Sequence, residues 1–356
     1  MSVHGHDPSP SPRPATGLSG CRAGRPPRGP GGGTGGRGLG SARTLQYGGR
    51  VPRTETPARR SLLSRATASL AVLTALGGYV AVQYATGPQG SPRCTVRSDG
   101  GGDGGGSGGY ELSPEMAANA ATISAVGTAR GLPERAVTIA LATALQESSL
   151  RNIDHGDRDS LGLFQQRPSQ GWGTAEQIMD PVYSAGEFYE HLAEVPGYSR
   201  LPLTEAAQRV QKSGFPQAYA KHEPDAALLS AALTGRAPAS LSCSLPKETA
   251  GAAGSAEEVR SDLVRSFGKD VLPATESAGA AAAGTVSVPV RDGTRTAGGD
   301  RSRRGWELAH WAVARAGTLG IAEVSYDGRV WKPETGWRKQ RTDPASTASV
   351  RMRLAR

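Results

Sequence analysis

The sequence predicts a mainly α-helical protein with one membrane-spanning helix near its N-terminus and a small α/β module near its C-terminus. Three observations support this fold class. Residues 66–86 carry no charge, helical periodicity recurs between residues 110 and 245, and four of the five tryptophans fall between residues 305 and 338. The 49 Gly and 25 Pro residues are too many for one continuous core.

The first 65 residues carry the charge of the chain. They hold 11 arginines against two acidic residues, which equals the whole net charge of +9. They show no apolar periodicity, so we expect a disordered cytoplasmic tail. An Arg/Gly/Pro tail could bind RNA or anionic lipid, or it could be a solvated arm whose arginines set membrane topology. The rest of the chain carries no net charge, which excludes a basic nucleic-acid-binding domain. We therefore expect no nucleic-acid partner.

Residues 66–86 are predicted to span a membrane. These 21 residues are long enough to cross about 30 Å of hydrocarbon. Arg59, Arg60 and Arg65 precede them, and the positive-inside rule then places the N-terminus in the cytoplasm and the later domains outside the cell. A cleaved signal peptide is the alternative. The long leader favours an uncleaved signal anchor in the cell membrane, as does Gln83, which is a poor match to the small residue that a cleavage site at Ala85 needs.

This orientation changes how the three cysteines are interpreted. Cys94 and Cys243 would both lie in an oxidising compartment, where disulfides persist, and they flank one segment expected to fold. We expect them to form a bridge; two unrelated thiols are the alternative. Three cysteines are too few for a disulfide-dense mini-protein or a Cys-rich zinc fold.

Composition divides the outer part into folded blocks and spacers. A Gly-rich linker is expected at 87–109, a helical domain at 110–245, an Ala/Gly-rich linker at 246–304, a helix–hairpin module at 305–338, and a tail at 339–356. Nothing between residues 110 and 245 alternates with a period of two, which favours an all-α domain there. One further helix is possible at 256–267.

Helix starts and turn residues place the individual elements. Helices are expected to begin near Ser113-Pro114, Pro133, Pro181, Thr204-Glu205 and Pro224. In the C-terminal module, residues 306–317 follow a helical pattern and Gly320 ends it. Asp327-Gly328 is a strong hairpin signal that would place Val324 opposite Trp331.

Glu147 is the candidate catalytic residue. It lies near the end of the second predicted helix, and the residues one and two turns before it are Ala140, Thr143 and Ala144. A carboxylate on such a small, uncharged stripe would be desolvated, which would raise its pKa towards that of a general acid at neutral pH. The alternative is a solvated glutamate that pairs with Arg151.

Three motifs carry a family resemblance. Residues 144–150 (ALQESSL) resemble the Glu-Ser motif of lysozyme-like lytic transglycosylases and goose-type lysozymes. Residues 162–165 (GLFQ) match the Gly-Leu-[Met/Phe]-Gln motif of that family, and Asp180-Pro181 stands where the family has an Asp-Pro pair. The resemblance covers about residues 118–235 and implies a lysozyme-like helical domain.

A narrower resemblance is to an actinobacterial group of membrane-anchored proteins that carry this domain. Members of the group are often labelled heavy-metal transporters. One predicted spanning helix provides no transport path, and the chain has no CxxC motif and only four methionines as soft ligands. The sequence therefore argues against metal transport.

The resemblance implies a peptidoglycan-cleaving enzyme. Glu147 would protonate the glycosidic oxygen between muramic acid and glucosamine units, and the C6 hydroxyl of the sugar would attack to give an anhydro product. A hydrolase would use a second acid. The candidates for that acid are Asp154, Asp157 and Asp159, with a solvated turn or a weak cation site as their alternative.

Further site residues follow from the same resemblance. Candidates for substrate binding are Ser148, Gln165, Gln166, Trp172 and Tyr219; Trp172 could equally be a core residue, and Tyr219 matches loosely the tyrosine that the family places over its catalytic acid. The usual Tyr-Asn-Ala-Gly motif is absent, with residues 211–214 (QKSG) in its place.

That departure leaves two other functions open. One is a catalytically inactive protein that binds peptidoglycan or serves as a scaffold for cell-envelope proteins. In the other, the Arg-rich tail is the functional part and the outer domains anchor it.

The C-terminal module resembles the end of an actinobacterial domain related to zinc D-Ala-D-Ala peptidases. Those enzymes need two histidines and an aspartate as zinc ligands. Here the region has only His310, inside a predicted helix. We therefore expect a catalytically empty remnant, and we expect neither a metal nor a cofactor in the protein.

Overall fold

The computed structural model describes residues 78, 91–98, 109–215, 217–246, 253–272, 284–291, 301–340 and 347–356. The predicted tail at 1–65 lies outside the described residues, as does the predicted spanning segment at 66–86 except for Gly78. Among the described residues, none of the helices combines the length and apolar character that a bilayer crossing requires. The membrane anchor therefore stays a prediction.

Helices make up most of the chain between residues 113 and 234. They are α1 (Pro114–Ala129), α2 (Glu134–Ser148), α3 (Ala175–Ile178), α4 (Pro181–Glu194), α5 (Leu203–Gln211) and α6 (Glu223–Leu233). Two predicted starts have the expected caps. The Ser113 side chain accepts from the backbone N–H of Met116, and Asp180 accepts from that of Val182. Helix α5 begins at Leu203, directly after Pro202, rather than at a Thr204 cap.

Helix α1 is the central helix of this bundle. Its residues from Ala117 to Thr128 are all buried, so it has no solvent-exposed stripe. It packs against α2, α4 and α6, and small side chains let these neighbours approach closely. Gly127 shows this best, because a Cβ there would lie 2.7 Å from the ring of Tyr189 in α4.

A three-stranded antiparallel sheet closes the bundle, which corrects the prediction of an all-α domain. Its strands β1 (Arg93–Arg97), β2 (Gly109–Leu112) and β3 (Leu241–Ser244) run in the order β2-β1-β3. Strand β1 lies in the segment that composition identified as a linker.

The predicted disulfide is present in this sheet. Cys94 of β1 and Cys243 of β3 are directly opposite each other, with 3.9 Å between their Cα atoms, and their sulfurs are bonded. The bridge ties together strands whose cysteines are 149 residues apart in sequence.

The C-terminal part combines helices with a five-stranded antiparallel sheet. After α7 (Ala256–Phe267) come β4 (Thr285–Pro289), α8 (Arg301–Ala314), α9 (Ala316–Leu319), β5 (Ile321–Tyr326), β6 (Arg329–Lys332), β7 (Gly336–Lys339) and β8 (Ser349–Leu354). The strand order is β4-β8-β5-β6-β7. Val324 pairs with Trp331 across the predicted hairpin. Strands β4 and β8 lie in the predicted linker and tail, so the sheet is larger than the predicted module.

The four C-terminal tryptophans do not form an isolated small core. Trp306 and Trp311 of α8 are almost fully buried, and α8 packs on α1 and α6 of the bundle as well as on β5. The Trp337 indole N–H donates to the backbone oxygen of Leu241 at 2.8 Å. The helical bundle and the C-terminal sheet therefore share one hydrophobic core.

Candidate functional site

Glu147 lies at the end of α2 with its carboxylate half-buried. The stripe behind it is fully buried: Ala140, Thr143 and Ala144 are each 0% exposed. Burial raises the pKa of Glu147, and hydrogen bonds from Tyr219 and Gln211 oppose that rise in part. A carboxyl group in this setting can hold a proton at a higher pH than an ordinary glutamate does.

Tyr219 is the principal partner of this carboxyl group. It is 0% exposed, and its hydroxyl donates to Oε1 of Glu147 at 2.6 Å although the two residues are 72 positions apart. Burial and the nearby Glu147 charge raise the pKa of Tyr219, so the phenol keeps its proton and acts as a donor. The structure thus places a tyrosine against the candidate acid.

Gln211 is a partner of Glu147 that sequence reasoning did not single out. It ends α5, and its side-chain amide donates to the backbone oxygen of Phe164 at 2.7 Å. Its hydrogen bond to Glu147 lowers the pKa of that carboxyl group. The sequence marked Gln211 only as the first residue of the segment that replaces the family's Tyr-Asn-Ala-Gly motif. Its role depends on where α5 meets the loop that carries Phe164.

Ser148 connects the end of α2 to the loop of residues 162–165. Its hydroxyl donates to the backbone oxygen of Leu163 at 2.8 Å, and the residue is only 5% exposed. Gly162 has a φ of +75°, and a Cβ there would lie 2.8 Å from the backbone oxygen of Ile178. Ser148 therefore holds the 162–165 loop against α2 from inside the fold, which differs from the predicted contact with substrate.

The two glutamines of the loop occupy different environments. Gln165 is half-buried and has a φ of +48°, and its amide donates to the backbone oxygens of His155 and Gly162, both at 3.3 Å. Gln166 is 1% exposed, and its amide donates to the backbone oxygen of Ser184. Gln166 thus anchors the loop to α4, and both glutamines belong to the lining of the groove described below.

The three aspartates of the preceding loop are engaged locally or exposed. Asp159 accepts from Arg167 and from the backbone N–H of Ser169, both at 2.8 Å, and these hydrogen bonds lower its pKa. Asp154 is exposed and bonds His155, which lowers its pKa. Asp157 is exposed as well. Their local hydrogen bonds and exposure are those of a polar turn.

A groove of about 510 Å³ lies beside Gln211. One wall comes from residues 165–172, including Gln165 and Trp172, and the other from the C-terminal ends of α4 and α5. Its size is typical of pockets that hold small organic ligands. Gln211 lines the groove and is also one of the residues that lower the pKa of Glu147.

In the C-terminal part, the histidine that the sequence analysis considered as a metal ligand is buried in the core. His310 is 0% exposed, and its Nδ1 donates to the backbone oxygen of Ala232 at 2.7 Å. Within the described ranges, no three His, Cys, Asp or Glu side chains are grouped as metal ligands. His310 is thus a core residue that joins α8 to α6.

The described residues therefore define a helical bundle that carries a half-buried glutamate. A tyrosine donates a hydrogen bond to this glutamate, and a polar groove lies nearby. Comparison with protein families finds one match outside this bundle: residues 277–350 match the family described as VldE, C-terminal domain. That similarity covers well under half of the chain and concerns its C-terminal part alone. The matched range is wider than the predicted 305–338 module and includes β4. No curated protein matches the chain.

Proposed function

We propose that this protein cleaves the glycan strands of peptidoglycan, with Glu147 as the general acid and then the base. The hydrogen bond of 2.6 Å between the Tyr219 hydroxyl and Glu147 is the single observation that carries the proposal. It joins two residues from distant parts of the sequence at the point where the family resemblance places the catalytic acid.

The chemistry needs a carboxyl group that is protonated before the reaction and charged after it. Burial favours the protonated form of Glu147, which can then donate to the glycosidic oxygen as the bond to C1 breaks. The Tyr219 and Gln211 hydrogen bonds stabilise the carboxylate that results. That carboxylate then takes the proton of the C6 hydroxyl as its oxygen attacks C1, which regenerates Glu147 and closes the anhydro ring.

We prefer this intramolecular attack to hydrolysis because none of the three loop aspartates is bonded to Glu147 in the described residues. A hydrolase positions a second carboxylate about 5–9.5 Å from the acid. Asp159 is already held by Arg167 and Ser169, and Asp154 and Asp157 are solvated. A lytic transglycosylase, which uses one carboxylate, is therefore the form of the activity that we propose.

The test is to incubate the full chain with purified peptidoglycan beside two variants, Glu147→Gln and the matched control Glu257→Gln on the exposed side of α7. Mass spectrometry reads the soluble products. Anhydro-muramyl ends from the wild type and the control, but not from Glu147→Gln, support the proposal. Reducing ends would indicate a hydrolase, and the three loop aspartates would then be the candidates for its second acid. Bound peptidoglycan with no released fragments would instead identify a binding or scaffold protein.

We also propose that the bundle works outside the cytoplasm, tethered to the cell membrane by residues 66–86. The Cys94–Cys243 bridge supports this location, since disulfides persist in oxidising compartments. Protease added to intact spheroplasts should remove the described domains. Their protection from that protease would contradict the proposed orientation.

A further inference from the structure

Tyr219 and His222 lie on the same side of one short turn. A 3₁₀ helix covers Ala220–His222, and the His222 backbone N–H donates to the backbone oxygen of Tyr219 at 3.1 Å. Because a 3₁₀ helix has three residues per turn, side chains three positions apart point in the same direction. Both side chains therefore face the same neighbour, which is the end of α2.

These two side chains bond consecutive residues of α2. The Tyr219 hydroxyl donates to Oε1 of Glu147 at 2.6 Å, and Nε2 of His222 donates to Oε1 of Gln146 at 3.1 Å. Gln146 and His222 are both half-buried, and they are 76 positions apart in sequence. The turn is thus tied to α2 at two points, one at the candidate acid and one beside it.

The bond of His222 to α2 supports the backbone that carries Tyr219. The chain before Tyr219 runs near the surface, where Phe215 is exposed, and the chain after it enters α6, which packs along α2. Within the turn, Ala220 has no polar side-chain atom and Lys221 is exposed, so His222 supplies the side-chain bond. Losing this bond would let the turn move relative to α2 and take Tyr219 with it.

The His222 ring acts as a neutral donor rather than as a charge. Burial is the largest cause that lowers its pKa, and the charge of Lys221 acts in the same direction, while Asp225 opposes both. The ring is therefore neutral at pH 7 and carries no charge that would act on Glu147. Its influence on the candidate acid passes through the position of Tyr219.

We propose that His222 is a positioning residue that holds the Tyr219 hydroxyl against the carboxyl group of Glu147 through its own bond to Gln146. The inference deepens the proposed function and rests on it for any effect on catalysis. Its effect on the pKa of Glu147 does not depend on the activity, so the two can be tested separately.

The experiment titrates the ¹³C-labelled carboxyl carbon of Glu147 by NMR in the full chain. It compares the wild type with His222→Phe, Tyr219→Phe and the double variant. His222→Phe should raise the midpoint by about half a pH unit, since a loosened hydrogen bond stabilises the carboxylate less. The double variant should match Tyr219→Phe alone, because a residue that acts only through the Tyr219 hydroxyl has no effect once that hydroxyl is gone.

Three further variants make the test specific. Gln146→Met removes the same bond from the side of α2 and should give the same shift as His222→Phe. His222→Gln keeps a side-chain N–H donor and should restore the wild-type midpoint. His155→Phe, at a ring that is 80% exposed and outside this contact, should leave the midpoint unchanged.

An unchanged midpoint in both His222→Phe and Gln146→Met would overturn the inference. Additive shifts in the double variant would do so as well, because they would mean that His222 acts on Glu147 independently of Tyr219. If His222→Phe does not fold, Gln146→Met, alone and combined with Tyr219→Phe, decides the outcome.

Failure of the proposed function gives a different result. The predicted midpoints without any release of fragments from peptidoglycan by the wild type would keep the positioning role of His222 and reject the activity. Cleavage by the wild type with unchanged midpoints in the His222 and Gln146 variants would reject the positioning role alone.

Discussion

Glu147 shows how neighbouring residues determine the chemistry of a single side chain. Burial against the alanine and threonine stripe of α2 raises its pKa, while the donors Tyr219 and Gln211 lower it. The opposing effects keep the carboxyl group able both to give and to take a proton. Removing one donor should change that balance in a predictable direction.

Tyr219→Phe should move the alkaline limb of the kcat/KM profile for glycan cleavage to higher pH. The lost hydrogen bond stabilised the charged form of Glu147, so its pKa rises further and the active, protonated acid persists to higher pH. A shift of about one pH unit follows if the bond contributes about 1.5 kcal/mol, as hydrogen bonds to charged groups do.

The matched control is Tyr110→Phe in strand β2, which should leave the limb in place. A lower rate at every pH with an unmoved limb would mean that Tyr219 only packs against Glu147.

At the scale of helices and strands, the sequence predicted those elements whose starts or turns are marked by local residue patterns. Prolines and capping side chains located the starts of α1 and α4, and Asp327-Gly328 located the β5–β6 hairpin. The sheet of β1, β2 and β3 was missed because each strand has only four or five residues and because β1 and β3 pair across about 150 residues of chain. Strand β1 does alternate buried Cys94 and Val96 with more exposed residues, but a glycine-rich neighbourhood hid that signal.

The disulfide is the strongest local constraint on this sheet. Replacing Cys94 and Cys243 together with alanine should lower the free energy of unfolding by about 3–5 kcal/mol, since the bridge closes a long loop in the unfolded chain. Chemical denaturation of the full chain measures the loss. Cys21→Ala, which leaves the bridge intact, is the control, and a double variant as stable as that control would contradict the expectation.

Across the whole molecule, sequence composition suggested separate modules joined by spacers, whereas the described residues share one core. Strand β4 pairs with β8 some 60 residues later, a pairing that Ala/Gly-rich local sequence cannot reveal. The buried Glu307 of α8 accepts from Thr128 of α1 and pairs with Arg304. Contacts of this kind depend on the assembled fold, as does the meeting of Glu147 with Gln211.

His310 adds a pH dependence to this shared core. Burial lowers its pKa to about 4, so between about pH 4 and pH 6.5 the folded state keeps the ring neutral while the unfolded chain binds a proton there. The free energy of unfolding therefore falls as the pH drops from about 6.5 towards 4. The C-terminal helix α8 is thus held on the bundle most firmly at neutral pH.

Titration of the Glu147 carboxyl carbon by ¹³C NMR tests most directly whether this residue can serve as the acid. The full chain is labelled at its glutamates, and the signal that vanishes in Glu147→Gln identifies the residue. A midpoint clearly above the ordinary glutamate value of about 4.3 is the predicted result. A midpoint at or below that value would show an ionised carboxylate throughout the neutral range and contradict its role as the proton donor.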